Sequence, residues 1–194
     1  MISTDFDSFI AKFINTYLFD DLETIHEIRK IKGNGAYLYI FAVCSGMEFL
    51  GALLRKNSPI KQGRVDTSNA LCHYIKYYLI PVADEQHRDG YKIFQKIAPV
   101  LVRNGLAHSY APKGPIAVGR YNHLYNHMGF QQINGMKQFF INADILYQDF
   151  KKSYDAVKLL IQPGGELHKR AQQHYEEIRT VYRNEVSELI DLQK

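Results

Sequence analysis

The chain has 194 residues, of which 46% are hydrophobic and 23% charged, a balance that excludes a disordered protein and fits one domain with a substantial core. The two cysteines, Cys44 and Cys72, both lie in apolar helical patterns, which predicts a reducing compartment rather than a disulfide framework. The N-terminus has no basic region followed by an apolar run, so we expect no secretory signal and a cytoplasmic location.

The net charge of +4 is unevenly distributed along the chain. Residues 1–89 and residues 144–194 each carry a net charge of −1, whereas residues 90–143 carry six basic residues and no acidic residue. Aromatic residues are interleaved with these bases. This combination predicts an anionic ligand that can also stack, such as RNA or another phosphate-bearing molecule. Chance segregation of charge is the alternative.

The apolar residues recur at helical spacing over most of the chain. This periodicity predicts helices at about 6–18, 21–31, 36–56, 66–80, from 89 onward, 142–161 and 166–192. We expect Ser3/Thr4 to cap the first helix, Asn142 to cap the helix 142–161, and a polar loop to follow the third helix up to Val65. The third is apolar nearly all round, but Glu48 lies inside it, so we expect the central helix of a bundle and no membrane span. Pro99 either kinks the helix that begins near Asp89 or opens a new one.

Residues 116–141 have a different pattern. Two short apolar runs, 116–119 and 136–141, predict strands, and Asn134-Gly135 is typical of a hairpin turn. The predicted architecture is therefore mainly α: a helical bundle forming a single domain over 1–194. It carries a small β-hairpin insertion at about 115–142 and ends in a long helix at about 166–192.

The motif Arg103-Asn104-Gly105-Leu106-Ala107-His108-Ser109-Tyr110 lies inside the basic stretch. If it is helical, Arg103, Asn104 and His108 spread over an arc of about 140°, with Tyr110 about 20° from Arg103. An imidazole and a guanidinium suit phosphodiester chemistry on RNA, whose 2′-hydroxyl is an internal nucleophile, and no metal is required. Because Arg103 and His108 diverge on one helix, we expect a composite site at a twofold dimer interface.

The spacing Arg103-Asn104-(three residues)-His108-(one residue)-Tyr110 resembles the signature of the HEPN family, in the form found in HEPN toxins. The resemblance implies a helical, HEPN-like fold and a homodimer with metal-independent endoribonuclease activity, without a cofactor, in a defence or toxin–antitoxin setting. It implies that Arg103 and His108 are catalytic and that Asn104 orients them. It also implies an antitoxin or nucleotidyltransferase partner that would modify Tyr110 in a regulatory step.

Further residues are predicted to support this site. Glu48 needs a partner on so apolar a helix, and we expect it to orient His108 or pair with Arg103; a surface glutamate at a packing gap is the alternative. Lys92, Lys96, Lys113 and Arg120 are the expected RNA contacts. In the repeat 121–128, His123 and His127 have zinc-ligand spacing but no third ligand, so a loop or an RNA-facing surface is favoured over a metal site.

The same sequence also fits two other functions. One is a non-catalytic module that binds RNA or a nucleotide on the same surface. The other is a structural domain whose motif helix only forms a dimer, with Arg103 and His108 holding a loop at a helix end.

Overall fold

The computed structural model describes residues 5–28, 35–100, 114–120 and 125–191. Within these ranges the protein is mainly α-helical, as predicted, with two small sheets. The motif Arg103–Tyr110 and Lys113 lie outside the described residues, as do the expected Ser3/Thr4 cap and His123.

The N-terminal helix is continuous where two helices were predicted. It begins as α1 (Phe6–Phe9), continues as a π-helical segment (Ile10–Leu18) and ends as α2 (Phe19–Glu27). Asp5 caps it by accepting a hydrogen bond from the Asp7 backbone N–H at 3.0 Å. Since Phe19 and Leu22 are both buried, the apolar stripe continues through the expected break.

The central helix α3 (Ala36–Leu54) confirms the prediction. By length and composition it could cross a membrane, with a mean hydropathy of 1.7 over 18 residues, but 61% of that window is buried inside the protein. Such burial is that of the core helix of a soluble domain. Gly51 brings α3 close to the next helix, because a Cβ there would lie 2.0 Å from the Ala70 carbonyl oxygen.

The segment after α3, predicted as a polar loop, contains a two-stranded hairpin, β1 (Ile60–Lys61) and β2 (Arg64–Val65), whose turn residues Gln62 and Gly63 have positive φ. The helical elements α4 (Thr67–Tyr74), a π-helical segment (Ile75–Leu79) and α5 (Ile80–Val82) follow.

Helix α6 (Glu85–Ile97) begins four residues before the expected Asp89. Its helical backbone continues through 98–100 with π-helical hydrogen bonding, so Pro99 lies inside a helical stretch rather than opening a new helix. One face of α6 buries Tyr91 and Phe94 in the core.

The second sheet has three strands in the order β3 (Ile116–Gly119), β5 (Met136–Asn142), β4 (Gly129–Ile133). The turn Asn134-Gly135, with φ values of 51° and 79°, joins β4 to β5 as predicted. The strand β4 was not predicted, and β3 pairs in parallel with β5 rather than forming the hairpin with it.

Two long helices complete the chain. Asn142 caps α7 (Ala143–Leu160) by accepting hydrogen bonds from the backbone N–H groups of Asp144 and Ile145, which confirms that cap. Helix α8 (Glu166–Asp191) matches the predicted C-terminal helix closely. Helices α4, α7 and α8 all pack against α3, which places α3 at the centre of the core.

Candidate functional site

Helix α6 leads directly into the segment that carries the predicted catalytic motif. Lys92 and Lys96, four residues apart, lie on its solvent face, and the Lys92 side chain is 63% exposed. Lys92 pairs with Asp89 at 2.7 Å, an exposed pair that contributes little to stability. Both lysines are therefore accessible to an anionic ligand, as their predicted role requires.

Glu48 lies half-buried on α3, between the fully buried Met47 and the half-buried Phe49. Burial raises the pKa of the neighbouring Cys44 thiol, and the negative charge of Glu48 raises it further. Cys44 is therefore an inert thiol, and Glu48 places a carboxylate at the edge of the core. Its predicted partners, Arg103 and His108, lie outside the described residues.

Arg120 was predicted to contact RNA, and this prediction needs correction. Its side chain is buried, and its Nε and Nη2 atoms each lie 3.0 Å from Asp144 Oδ1. The remaining guanidinium protons bond backbone carbonyl oxygens at the end of α2, those of Ile25, His26 and Ile28, at 2.7–3.2 Å. The guanidinium also stacks over the Tyr39 ring at 4.9 Å. Arg120 therefore caps α2 and joins it to β3 and α7, and its charge is neutralised inside the protein.

His127 lies in a loop, as predicted, but it is buried rather than exposed on the surface. The Asn142 backbone N–H donates to His127 Nδ1 at 3.0 Å, which places the proton of the neutral ring on Nε2. That Nε2 lies 3.0 Å from the Tyr91 hydroxyl, which in turn donates to Asp149 Oδ2 at 2.8 Å. Both ring nitrogens are therefore engaged, and His127 has no lone pair left for a metal.

Burial shifts the pKa values of the two residues at the ends of this network, His127 and Asp149. Burial lowers the pKa of His127 to about 3, with a further contribution from the neighbouring His87. Burial raises the pKa of Asp149, against the opposing effects of the Tyr91 hydrogen bond and of Lys152, whose Nζ lies 3.5 Å from the carboxylate. The ring of His127 is thus a fixed, neutral element of the core.

A polar cavity of about 410 Å³ opens beside this network. It lies between the start of α6, the loop 125–129 and the junction of β5 with α7; its lining residues are Gln86, His87, Tyr125, Asn126, His127, Met128, Gly129, Asn142 and Ile145. His87 Nδ1 is buried and has no hydrogen-bond partner. The sequence alone did not single out this cavity, because its two histidines come from elements forty residues apart.

A larger groove of about 580 Å³ runs between the N-terminal helix, α3 and α8. Its floor is made of apolar and aromatic side chains such as Phe9, Phe49 and Tyr175, with Arg179 and Arg183 along α8. The described side chains that line it bring no set of polar groups together, so they offer no arrangement for chemistry. Across the described parts of the chain, no three His, Cys, Asp or Glu side chains cluster as a metal site would require.

Comparison with known proteins identifies no relative. No family model, no curated protein and no solved structure matches the chain.

Proposed function

We propose that the protein is a HEPN-like endoribonuclease that cleaves RNA without a metal ion, at a site shared by two copies of the chain in the cytoplasm. One observation carries this proposal: the motif Arg103-Asn104-(three residues)-His108-(one residue)-Tyr110 lies in the only long stretch of the sequence, 90–143, that contains basic but no acidic residues. The mainly helical fold agrees with it.

The proposed reaction is an internal transfer on the RNA backbone. The 2′-hydroxyl oxygen attacks the adjacent phosphorus, the bond from phosphorus to the 5′-oxygen breaks, and the products are a 2′,3′-cyclic phosphate and a 5′-hydroxyl. His108 accepts the proton of the 2′-hydroxyl or donates one to the leaving oxygen. Arg103 stabilises the charge that builds on the non-bridging oxygens, and Asn104 orients the two.

The exposed lysines on α6 supply the binding charge in this proposal. Lys92 and Lys96 lie a few residues before the motif and attract the backbone of an RNA strand through counterion release. Arg120 is left out of this surface because Asp144 neutralises it.

The test is cleavage of single-stranded RNA by purified protein in excess EDTA. Wild type is compared with Arg103→Ala and His108→Ala, and with Arg64→Ala as a matched control because Arg64 is an exposed arginine on β2. We expect each motif variant to lose at least about 100-fold in rate and Arg64→Ala to lose nothing. Equal cleavage by all four proteins would refute the proposal, and a cyclic phosphate on the product identifies the 2′-hydroxyl as nucleophile.

The shared site is tested by mixing the two inactive variants. If Arg103 of one copy acts with His108 of the other, half of randomly reassociated dimers are mixed and each mixed dimer keeps one intact site. We then expect about one quarter of the wild-type activity to return on mixing. No recovery in a mixture shown to exchange subunits would rule out a site of this kind.

The second candidate is a non-catalytic module that binds RNA or a nucleotide, which the charge of residues 90–143 favours independently of the motif. Tight, salt-sensitive binding without turnover would identify it. A purely structural dimerisation domain is the third, and an Arg103 variant that loses dimerisation but keeps RNA binding would favour it. A defence or toxin role, with an antitoxin or a nucleotidyltransferase acting on Tyr110, belongs to the first candidate alone.

A further inference from the structure

The polar cavity between α6, the loop 125–129 and the β5–α7 junction is a built site rather than a surface depression. We propose that it binds a single nucleobase, supplied either by a free nucleoside or by an RNA strand. In the second case the inference rests on the proposed function, and the base is the part of the RNA substrate that the cavity recognises.

The loop that forms one wall is held by hydrogen bonds to Asn126, His127 and Met128. The Gln131 side-chain amide bonds both the N–H and the C=O of Asn126, at 3.1 and 2.9 Å. The Met128 N–H donates to the Phe140 carbonyl at 2.9 Å, and His127 is held by Asn142 and Tyr91. The wall is therefore formed before a ligand arrives, which lowers the entropy cost of binding.

Backbone strain at the cavity supports a functional role. Met128 has a φ of 55°, a left-handed conformation that large side chains rarely adopt. The two other non-glycine residues with positive φ in the described ranges, Gln62 and Asn134, lie in hairpin turns that need it. Gly90 on α6 permits this geometry, because a Cβ there would lie 1.9 Å from the Met128 carbonyl oxygen. Strain of this kind persists where the surrounding structure enforces it, and it concentrates at binding sites.

One residue that lines the cavity, His87, carries an unsatisfied hydrogen-bonding atom. His87 Nδ1 is buried without a partner, and the His87 ring meets His127 edge to face with centroids 5.0 Å apart. Because both nitrogens of His127 are already bonded, His127 cannot satisfy His87. An unpaired buried nitrogen costs free energy, and a ligand in the cavity with a matching donor or acceptor would recover it once the His87 ring turns toward that ligand.

The chemistry of the lining selects the ligand class. Among the described residues that line the cavity there is no Lys, Arg, Asp or Glu, so neither a phosphate nor an ammonium group finds a counter-charge on them. The lining offers imidazole and amide groups together with the Tyr125 ring, which is braced against Phe140 at 5.2 Å between centroids. A neutral, planar heterocycle with hydrogen-bonding edges matches these groups, and the volume of about 410 Å³ falls within the usual range for ligand sites.

The experiment measures binding by the full chain, using the four free nucleosides and four 2′-O-methyl homo-oligonucleotides, which cannot be cleaved through the 2′-oxygen. His87→Phe removes the free nitrogen, and His87→Gln keeps a hydrogen-bonding group. Gln86→Trp blocks the mouth of the cavity from an exposed position without touching the buried network. His73→Phe is the matched control, because His73 is a half-buried histidine on a different helix.

We expect at least one base to bind and its affinity to fall about tenfold or more in His87→Phe and in Gln86→Trp. His87→Gln should retain most of the affinity, and His73→Phe should match wild type. Binding of nucleosides identifies a free ligand, whereas binding of oligonucleotides alone identifies a base presented by a strand. Absence of binding to every probe, or equal affinity in wild type, His87→Phe and Gln86→Trp, would overturn the inference.

The outcome is separable from that of the proposed function. Base binding that depends on His87 in a protein whose cleavage is unaffected by the motif variants would retain the nucleobase site and remove the ribonuclease. Cleavage that depends on Arg103 and His108, with affinity and cleavage pattern unchanged in His87→Phe, would do the reverse. Thermal unfolding of each variant confirms that the comparison is between folded proteins.

Discussion

Replacing Arg120 by Met should destabilise the protein severely while leaving its RNA affinity per folded molecule unchanged. The guanidinium is buried, pairs with the buried Asp144 and bonds three carbonyl oxygens at the end of α2. Met fills similar space without the charge, so the substitution removes the interactions rather than the volume.

The expected cost follows from what is left behind. Removing one partner of a buried ion pair leaves an uncompensated charge and costs about 3–5 kcal/mol. Each carbonyl that loses its donor without gaining water adds about 1–3 kcal/mol, although these terms are not additive. Even the lower value is a large fraction of the roughly 5–15 kcal/mol by which a domain is stable. A matched control is Lys151→Met, which removes the exposed pair with Glu23 and should cost about 0–1 kcal/mol.

Urea unfolding followed by far-ultraviolet circular dichroism measures both variants. The double variant Arg120→Met/Asp144→Leu should be more stable than Arg120→Met alone, because it removes the stranded carboxylate. RNA binding is measured in parallel and corrected for the folded fraction. If the free energy of unfolding of Arg120→Met lies within 1 kcal/mol of wild type and the variant binds RNA more weakly, then Arg120 faces the ligand and does not make the buried contacts described above.

Three further outcomes are expected. The pKa of His127 is about 3 in the folded protein against an ordinary value of 6.5, so the free energy of unfolding should be largest above pH 6.5 and fall as the pH decreases, by up to about 1.4 kcal/mol per pH unit. Urea titrations between pH 7 and pH 5 should show this slope in wild type and a shallower one in His127→Gln; equal slopes would contradict the burial of a neutral ring. Gly90→Ala should lower the melting temperature, because its Cβ would lie 1.9 Å from the Met128 carbonyl oxygen. Gly63→Ala is the control: no atom lies near its Cβ, so its melting temperature should fall only through the strain of a positive φ. The double variant Lys92→Ala/Lys96→Ala should bind RNA more weakly and with a smaller dependence on salt, by a slope of about 0.7 per lost phosphate contact; an unchanged slope would place the RNA elsewhere.

Local signals made much of the fold predictable. The apolar run of α3, the Asn134-Gly135 turn and the Asn142 cap each act within a few residues, and the structure confirms all three. Strand β4 was missed because its sequence, Gly129-Phe130-Gln131-Gln132-Ile133, has little apolar alternation. Its pairing with β5 defines it as a strand.

The candidate site shows the same division between local and long-range information. The distribution of charge along the sequence reveals the basic stretch, but it does not reveal that Asp144, 24 residues after Arg120, neutralises one of the six basic residues. The cavity beside His87 was equally hidden, because it depends on a strained loop and on a close approach between Gly90 and Met128. Both features arise from tertiary packing, which the spacing of residues along the sequence does not reveal.

The position of β5 between β3 and β4 has a consequence for synthesis on the ribosome. Every ladder hydrogen bond of β3 within the three-stranded sheet is made to a strand that is translated roughly twenty residues later. Strands β4 and β5 can close as a hairpin as soon as their turn has emerged, since such hairpins form in about 1–10 μs. β3 stays unpaired within this sheet until the hairpin has formed and the free edge of β5 can pair with it. The nascent chain therefore completes this sheet in an order fixed by topology, and a chain that stops before residue 136 has no partner for either neighbour.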